Sequence, residues 1–121
     1  MLGYKVFGAG FSIPAIEAVC KDVTTGISAA GTNQATATEL TSAVNFVSTV
    51  TADTGVVLDS DGSAGDSQLI YNGGANPLRV YPPTGAAING LPANTAAIIP
   101  INTAVQFFCG SSTQWTAILS K

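Results

Sequence analysis

Histidine is absent from this 121-residue chain. That removes the usual general base, the commonest metal ligand and the imidazole half of Ser/His and Cys/His nucleophile pairs. Cysteine is nearly absent too: Cys20 and Cys109 are the only two, with no Cys-x-x-Cys, so a zinc site has almost no ligands to draw on. Charge is scarce. Asp, Glu, Lys and Arg make up 9% of the residues, against about 25% in an ordinary soluble domain. The four cations, Lys5, Lys21, Arg79 and Lys121, are scattered through a chain of net charge −3. Nucleic acid and anionic membranes are recognised by clustered Lys and Arg, so neither is an expected partner. Asn-x-Ser/Thr sequons are missing, and so is any Gly-Lys-Ser/Thr phosphate loop. No catalytic constellation emerges, and the chain reads as a non-enzyme.

What is present is apolar and small. Hydrophobic residues make up 46% of the chain, the opposite of the low hydrophobicity and high net charge of a disordered chain. A chain of this length fits one domain and buries roughly two-thirds of its unfolded surface, enough for a real core. So little charge on a folded body indicates that much of its surface is covered, because ionised groups are depleted where proteins meet.

Residues 1–22 differ from the remainder. Val6–Cys20 is apolar but carries Glu17 and is broken by Pro14, which argues against a signal peptide and against a membrane span. This stretch is expected to be an arm, with Phe7, Phe11 and Ile13 as candidate docking residues. From residue 23 to 121, short runs rich in Thr, Val, Ile and aromatics alternate with Gly, Asn, Pro and Asp clusters. That rhythm predicts an all-β domain, a single antiparallel β-sandwich or barrel of jelly-roll type. Thr38–Phe46 is expected to be one strand. In Ala43–Val50, Val44, Phe46 and Val50 alternate with Asn45, Val47 and Thr49. Apolar residues occupy both faces of Leu69–Tyr71 and Leu78–Tyr81, as in strands covered on both sides. Val105, Phe107 and Cys109 share a face, as do Trp115, Ala117 and Leu119, with a hairpin through Gly110, Ser111 and Ser112 between them. Asn72–Pro77, Pro82–Gly85 and Asn89–Gly90 are turn chemistry. No internal sequence repeat is evident.

Three groups of residues invite a functional reading. Asp59, Asp61 and Asp66 alternate with Ser and Gly as calcium loops do, but Gly62 and Ile70 stand where the EF-hand pattern needs other residues, so a solvated loop is the preferred reading. No metal or cofactor is expected in the chain. Cys20 and Cys109 are either two buried thiols or a disulfide. Among the aromatics, Phe107 and Trp115 are assigned to the core. Tyr81 and Phe108 fall on the opposite strand faces and, with Arg79, are candidate interface residues.

The segments Ala30–Thr38 (AGTNQATAT), Gly74–Pro82 (GANPLRVYP), Ile88–Leu91 (INGL) and Ser112–Trp115 (STQW) resemble a β-rich module of tailed-bacteriophage structural proteins. The resemblance spans about Val23 to Leu119 and leaves the arm out. It implies a virion structural protein, most like a capsid decoration (cement) subunit that stabilises the head. The implied partners are the major capsid protein lattice and other copies of the chain, as a homotrimer. The implied location is the capsid surface, after assembly in the host cytoplasm. A head-fibre or tail-associated module, or a carbohydrate-binding module using exposed aromatics, are the alternatives.

Overall fold

A computed structural model describes residues 22–119. Ten strands and no helix are found there. In chain order they are β1 (Val23–Ser28), β2 (Thr38–Glu39), β3 (Val44–Thr49), β4 (Gly55–Val57), β5 (Ser67–Asn72), β6 (Leu78–Tyr81), β7 (Ala87–Ile88), β8 (Ala97–Ile99), β9 (Thr103–Ser111) and β10 (Gln114–Leu119).

The strands form two sheets. One has six strands in the order β1-β3-β5-β9-β10-β7, the other four in the order β2-β4-β6-β8. From β1 to β9 successive strands alternate between sheets, so the chain winds as a β-solenoid of about four turns. β1, β3 and β5 are parallel to one another, as are β2, β4 and β6. After β6 the direction reverses. β8 lies antiparallel to β6 and β9 antiparallel to β5, and together they close the stack. The β9–β10 hairpin, with β7 parallel to β10, extends the larger sheet.

This corrects the antiparallel sandwich or barrel expected from the sequence. Turn-rich connections such as Asn72–Pro77 were consistent with hairpins. Here they carry the chain across to the opposite sheet, where it continues winding. The single long strand expected over Thr38–Phe46 is likewise two strands, β2 and β3, in different sheets. The coil repeat left no trace in the sequence because its length drifts. Val23 pairs with Val44 and Val44 with Leu69, whereas Thr38 pairs with Val56 and Gly55 with Arg79. Coils of unequal length share a shape without sharing a period.

The core lies between the sheets. From the larger sheet come Val47, Ile70, Val105, Phe107 and Trp115, and from the smaller Val56, Leu78, Val80 and Ile99, all 5% exposed or less. Leu40, Val50 and Leu58 close it from the turns. Val50 therefore leaves the face it was expected to share with Phe46, because the strand ends at Thr49 and the turn breaks the alternation. Phe107 and Trp115 are the two largest fully buried side chains. Burying one such aromatic removes about 150–250 Å² from water, roughly 4–6 kcal/mol of transfer free energy as an upper bound.

Three polar side chains also point inward, and two act as internal staples. Gln68 donates from Nε2 to the carbonyls of Leu40 (3.0 Å) and Ser42 (3.1 Å) and accepts the Asp59 N–H at 2.9 Å. It thus holds two turns from adjacent coils. Asn72, fully buried, donates from Nδ2 to Asn76 O (2.9 Å) and Ile99 O (3.0 Å) and accepts the Gly74 N–H at 2.9 Å. It ties the β5–β6 turn to the reversed closing coil. Replacing Asn72 with Ala strands those groups in the interior, where each unmet one costs about 1–3 kcal/mol. Asn72→Ala is expected to lower unfolding stability by about 3 kcal/mol. Ser48→Ala, on the exposed side of β3, should change it by no more than about 0.5 kcal/mol. Urea midpoints at constant slope measure both.

Candidate interaction surface

Strand alternation sends every second residue of the six-stranded sheet away from the core, and the pairing register lines these residues up across strands. One row runs Val23–Val44–Leu69–Gln106–Ile118 over β1, β3, β5, β9 and β10. On one side of it lies Phe46–Tyr71–Ala104, and on the other Ser67–Phe108–Thr116. None of the six strands contains Asp, Glu, Lys or Arg. Val23 is 41% exposed, Phe46 41%, Phe108 37% and Ile118 55%. The rings of Phe46 and Tyr71 sit 6.1 Å apart at a tilt of 58°, an aromatic pair geometry that adds a favourable contact across β3 and β5.

Strand spacing and rise give this face a footprint of roughly 400 Å². That falls within the size of the largest apolar patches on typical monomers, which are often functional. Solvated antiparallel faces normally alternate polar residues outward. Here the outward positions are Val, Leu, Phe, Tyr and Ile, broken only by Ser, Thr, Ala and Gln.

The residues singled out in the sequence fall in different places. Phe108 lies on this outer face. Arg79 points outward from the four-stranded sheet, where its Nη2 donates to Asp53 Oδ1 at 2.9 Å. Both partners are well exposed, so that ion pair contributes little to stability. Tyr81 is only 8% exposed although its strand parity directs it outward. Gly55 on the neighbouring strand explains this. A Cβ at Gly55 would lie 3.0 Å from Tyr81 Cε2 and 2.7 Å from Arg79 O, so the missing side chain makes the room the Tyr81 ring fills. The Tyr81 hydroxyl then donates to Thr32 O at 3.3 Å. Phe7, Phe11 and Ile13 lie outside the described residues, as does Cys20. Val23, Phe46 and Ile118 were not singled out. Their signal was the apolar residue at the outward parity of strands lacking charge.

The acidic loop borders a cleft of about 490 Å³ lined by Asp22, Asp59, Asp66, Gln68 and the edge of Trp115. Its carboxylates are occupied as backbone acceptors. Asp59 Oδ1 takes the Asp61 N–H at 2.9 Å, Asp66 Oδ2 that of Ser63 at 2.8 Å, and Asp22 Oδ2 that of Ala43 at 2.9 Å. Among the described residues no three His, Cys, Asp or Glu side chains converge as a metal site requires. These bonds define turns.

No protein-family model, curated protein or solved structure matches the chain.

Cys109 carries a free thiol, 3% exposed, on the core side of β9. Burial pushes its pKa up, and the nearby Asp66 carboxylate adds to the rise, against a smaller opposing effect of a hydrogen bond with the Ser111 backbone. The unfolded chain therefore releases this proton at a lower pH than the folded one. The stability Cys109 confers is complete below the ordinary thiol pKa of about 8.5 and is lost as pH rises past it. In a Cys20→Ser background, unfolding free energy is expected to fall between pH 8 and 9.5. Adding Cys109→Ala should flatten that fall, and a thiol reagent should label Cys109 at neutral pH no faster than the protein unfolds.

Proposed function

We propose that this chain is a structural subunit of a larger protein assembly, a decoration subunit of a tailed-phage head, and that the outer face of its six-stranded sheet is the surface it buries there. The observation that carries this reading is the uncharged apolar face itself: Val23, Phe46, Phe108 and Ile118 exposed on strands without a single Asp, Glu, Lys or Arg. Interface cores are depleted of charge and enriched in aromatic residues, as this face is. The motif resemblance supplies the virion context, with the major capsid protein lattice and sister copies in a trimer as partners on the capsid exterior.

The size of the face bears on how such a subunit works. A standard interface takes about 800 Å² from each partner, roughly twice the footprint of this face. One contact through it alone is weak. Copies held together in an oligomer on a repeating lattice bind through effective concentration, with a gain of about 10²–10⁴ over a single contact. Heat or internal pressure must then break several contacts at once. A binding mode that is weak per copy and strong per particle suits reinforcement of a shell.

Co-sedimentation with expanded phage heads that lack the protein tests this. The double variant Phe46→Asp/Ile118→Asp is expected to bind at least about 30-fold more weakly, the loss of one hot spot's 2 kcal/mol or more. Ile98→Asp, a charge placed on an equally exposed apolar residue of the other sheet, should bind as the unaltered chain does. Both should keep the β-rich far-UV spectrum. Unaltered binding by the double variant would refute the assignment of this face.

A further inference from the structure

The chain contains two Asn-Gly pairs, Asn72-Gly73 and Asn89-Gly90. In such a pair the glycine nitrogen, unshielded by a side chain, is able to attack the asparagine Cγ and close a five-membered imide. The fold treats the two pairs in opposite ways.

Asn72-Gly73 is locked. Asn72 is fully buried, away from water. Its Nδ2, the group that would have to leave, donates to Asn76 O at 2.9 Å and Ile99 O at 3.0 Å. The attacking nitrogen is engaged as well, since Gly73 N donates to Val47 O at 2.8 Å. Asn72 also ends strand β5, and strand backbone, with ψ about +115 to +135°, turns Cβ away from the following nitrogen.

Asn89-Gly90 is open on each of these counts. Both residues are exposed, and Gly90 N has no acceptor among the described residues. Leu91 N donates to Ile88 O at 3.0 Å and closes a turn with Asn89 and Gly90 at its centre. Asn89 has φ +53°, while Gly90 is not in the left-handed region. A positive φ at the first central residue alone defines the type II′ turn, whose ψ there is about −120°. At that ψ the Cβ of an L-residue eclipses the following nitrogen, the rotation that a five-membered imide itself requires. The carbonyl to be attacked is also polarised. Ala117 N donates to Asn89 Oδ1 at 3.0 Å, so a backbone N–H already faces the oxygen on which negative charge develops when Cγ becomes tetrahedral.

We propose that Asn89 is a site of intrachain deamidation, held by its turn and by the β10 backbone in a form ready for attack by Gly90. Gly90 N loses its proton to hydroxide and bonds to Asn89 Cγ. The bond from Cγ to Nδ2 then breaks, and ammonia leaves with a proton taken from water. A second water opens the imide. Opening at Cγ leaves aspartate, and opening at the main-chain carbonyl leaves isoaspartate. Either product places a negative charge on the edge of a sheet whose strands carry none. The inference is independent of the lattice reading.

The full chain and an unstructured peptide of residues 85–93 are incubated side by side at mildly alkaline pH. Peptide mapping follows the mass gain of amide-to-acid exchange at each asparagine. Asn89 is expected to convert at least about tenfold faster in the folded chain than in the peptide, a modest share of what one aligned backbone donor supplies to an enzyme. Both aspartate and isoaspartate should form, and Asn72 should stay intact until urea unfolds the chain. Gly90→Ala, whose added Cβ meets no atom within 4 Å, should suppress the conversion while the far-UV spectrum is unchanged. A rate at Asn89 no faster than the peptide's overturns the proposal. So does aspartate formed without isoaspartate, or conversion that persists undiminished in Gly90→Ala.

Discussion

The parallel backbone ladder through β1, β3 and β5 is the constraint on which the remaining structure depends. A ladder of this kind holds each residue opposite the equivalent residue of the next coil. Inward positions therefore stack on inward positions and outward on outward. From that one arrangement follow the continuous core, the two amide staples at Gln68 and Asn72, and the row from Val23 to Ile118 on the outer face. A slip of one residue in β3 would turn Val47 outward and Phe46 inward. The core would then lose a fully buried valine, and the outer face its most exposed aromatic.

The ladder also explains the division of labour between sheets. The four-stranded sheet spends its outward positions on local closure: Tyr81 fills the space over Gly55, and Arg79 pairs with Asp53. Among the described residues, the six-stranded sheet has no such closure on its outer side. Its turns carry the polar chemistry instead, with Asp22, Asp59 and Asp66 bonded to backbone N–H groups around the acidic loop. Around this sheet charge is confined to the connections, which leaves its broad face uncharged.

Much of this was legible in the residues, and the part that was not has a physical cause. The all-β character, the Asn72–Pro77 turn, the left-handed Asn89 before Gly90 and the C-terminal pair with Phe107 and Trp115 inward were all readable, because turn chemistry and period-two alternation are local. Strand direction is not local. The same alternation serves a hairpin and a coil, and only pairing between distant segments separates them. A hint was present in Leu69–Tyr71 and Leu78–Tyr81, whose apolar residues on both faces fit parallel strands. The outer face was half legible. Phe108 was found by its parity against Phe107, but Phe46 was grouped with Val50 because the end of β3 at Thr49 could not be placed. The burial of Tyr81 depended on an absent side chain at Gly55, on the neighbouring strand of the preceding coil, which nothing in its own strand reveals.

The most direct measurement is the set of short proton–proton contacts between β3 and β5 in solution, from nuclear Overhauser spectra of the labelled chain. The parallel coil predicts contacts of Val44 with Leu69 and of Val47 with Asn72, the two pairs keeping the same order along both strands. Contacts of Val44 with Asn72 and of Val47 with Leu69 would mean that the strands run in opposite directions. The coil stack and the outer face aligned upon it would then both be wrong.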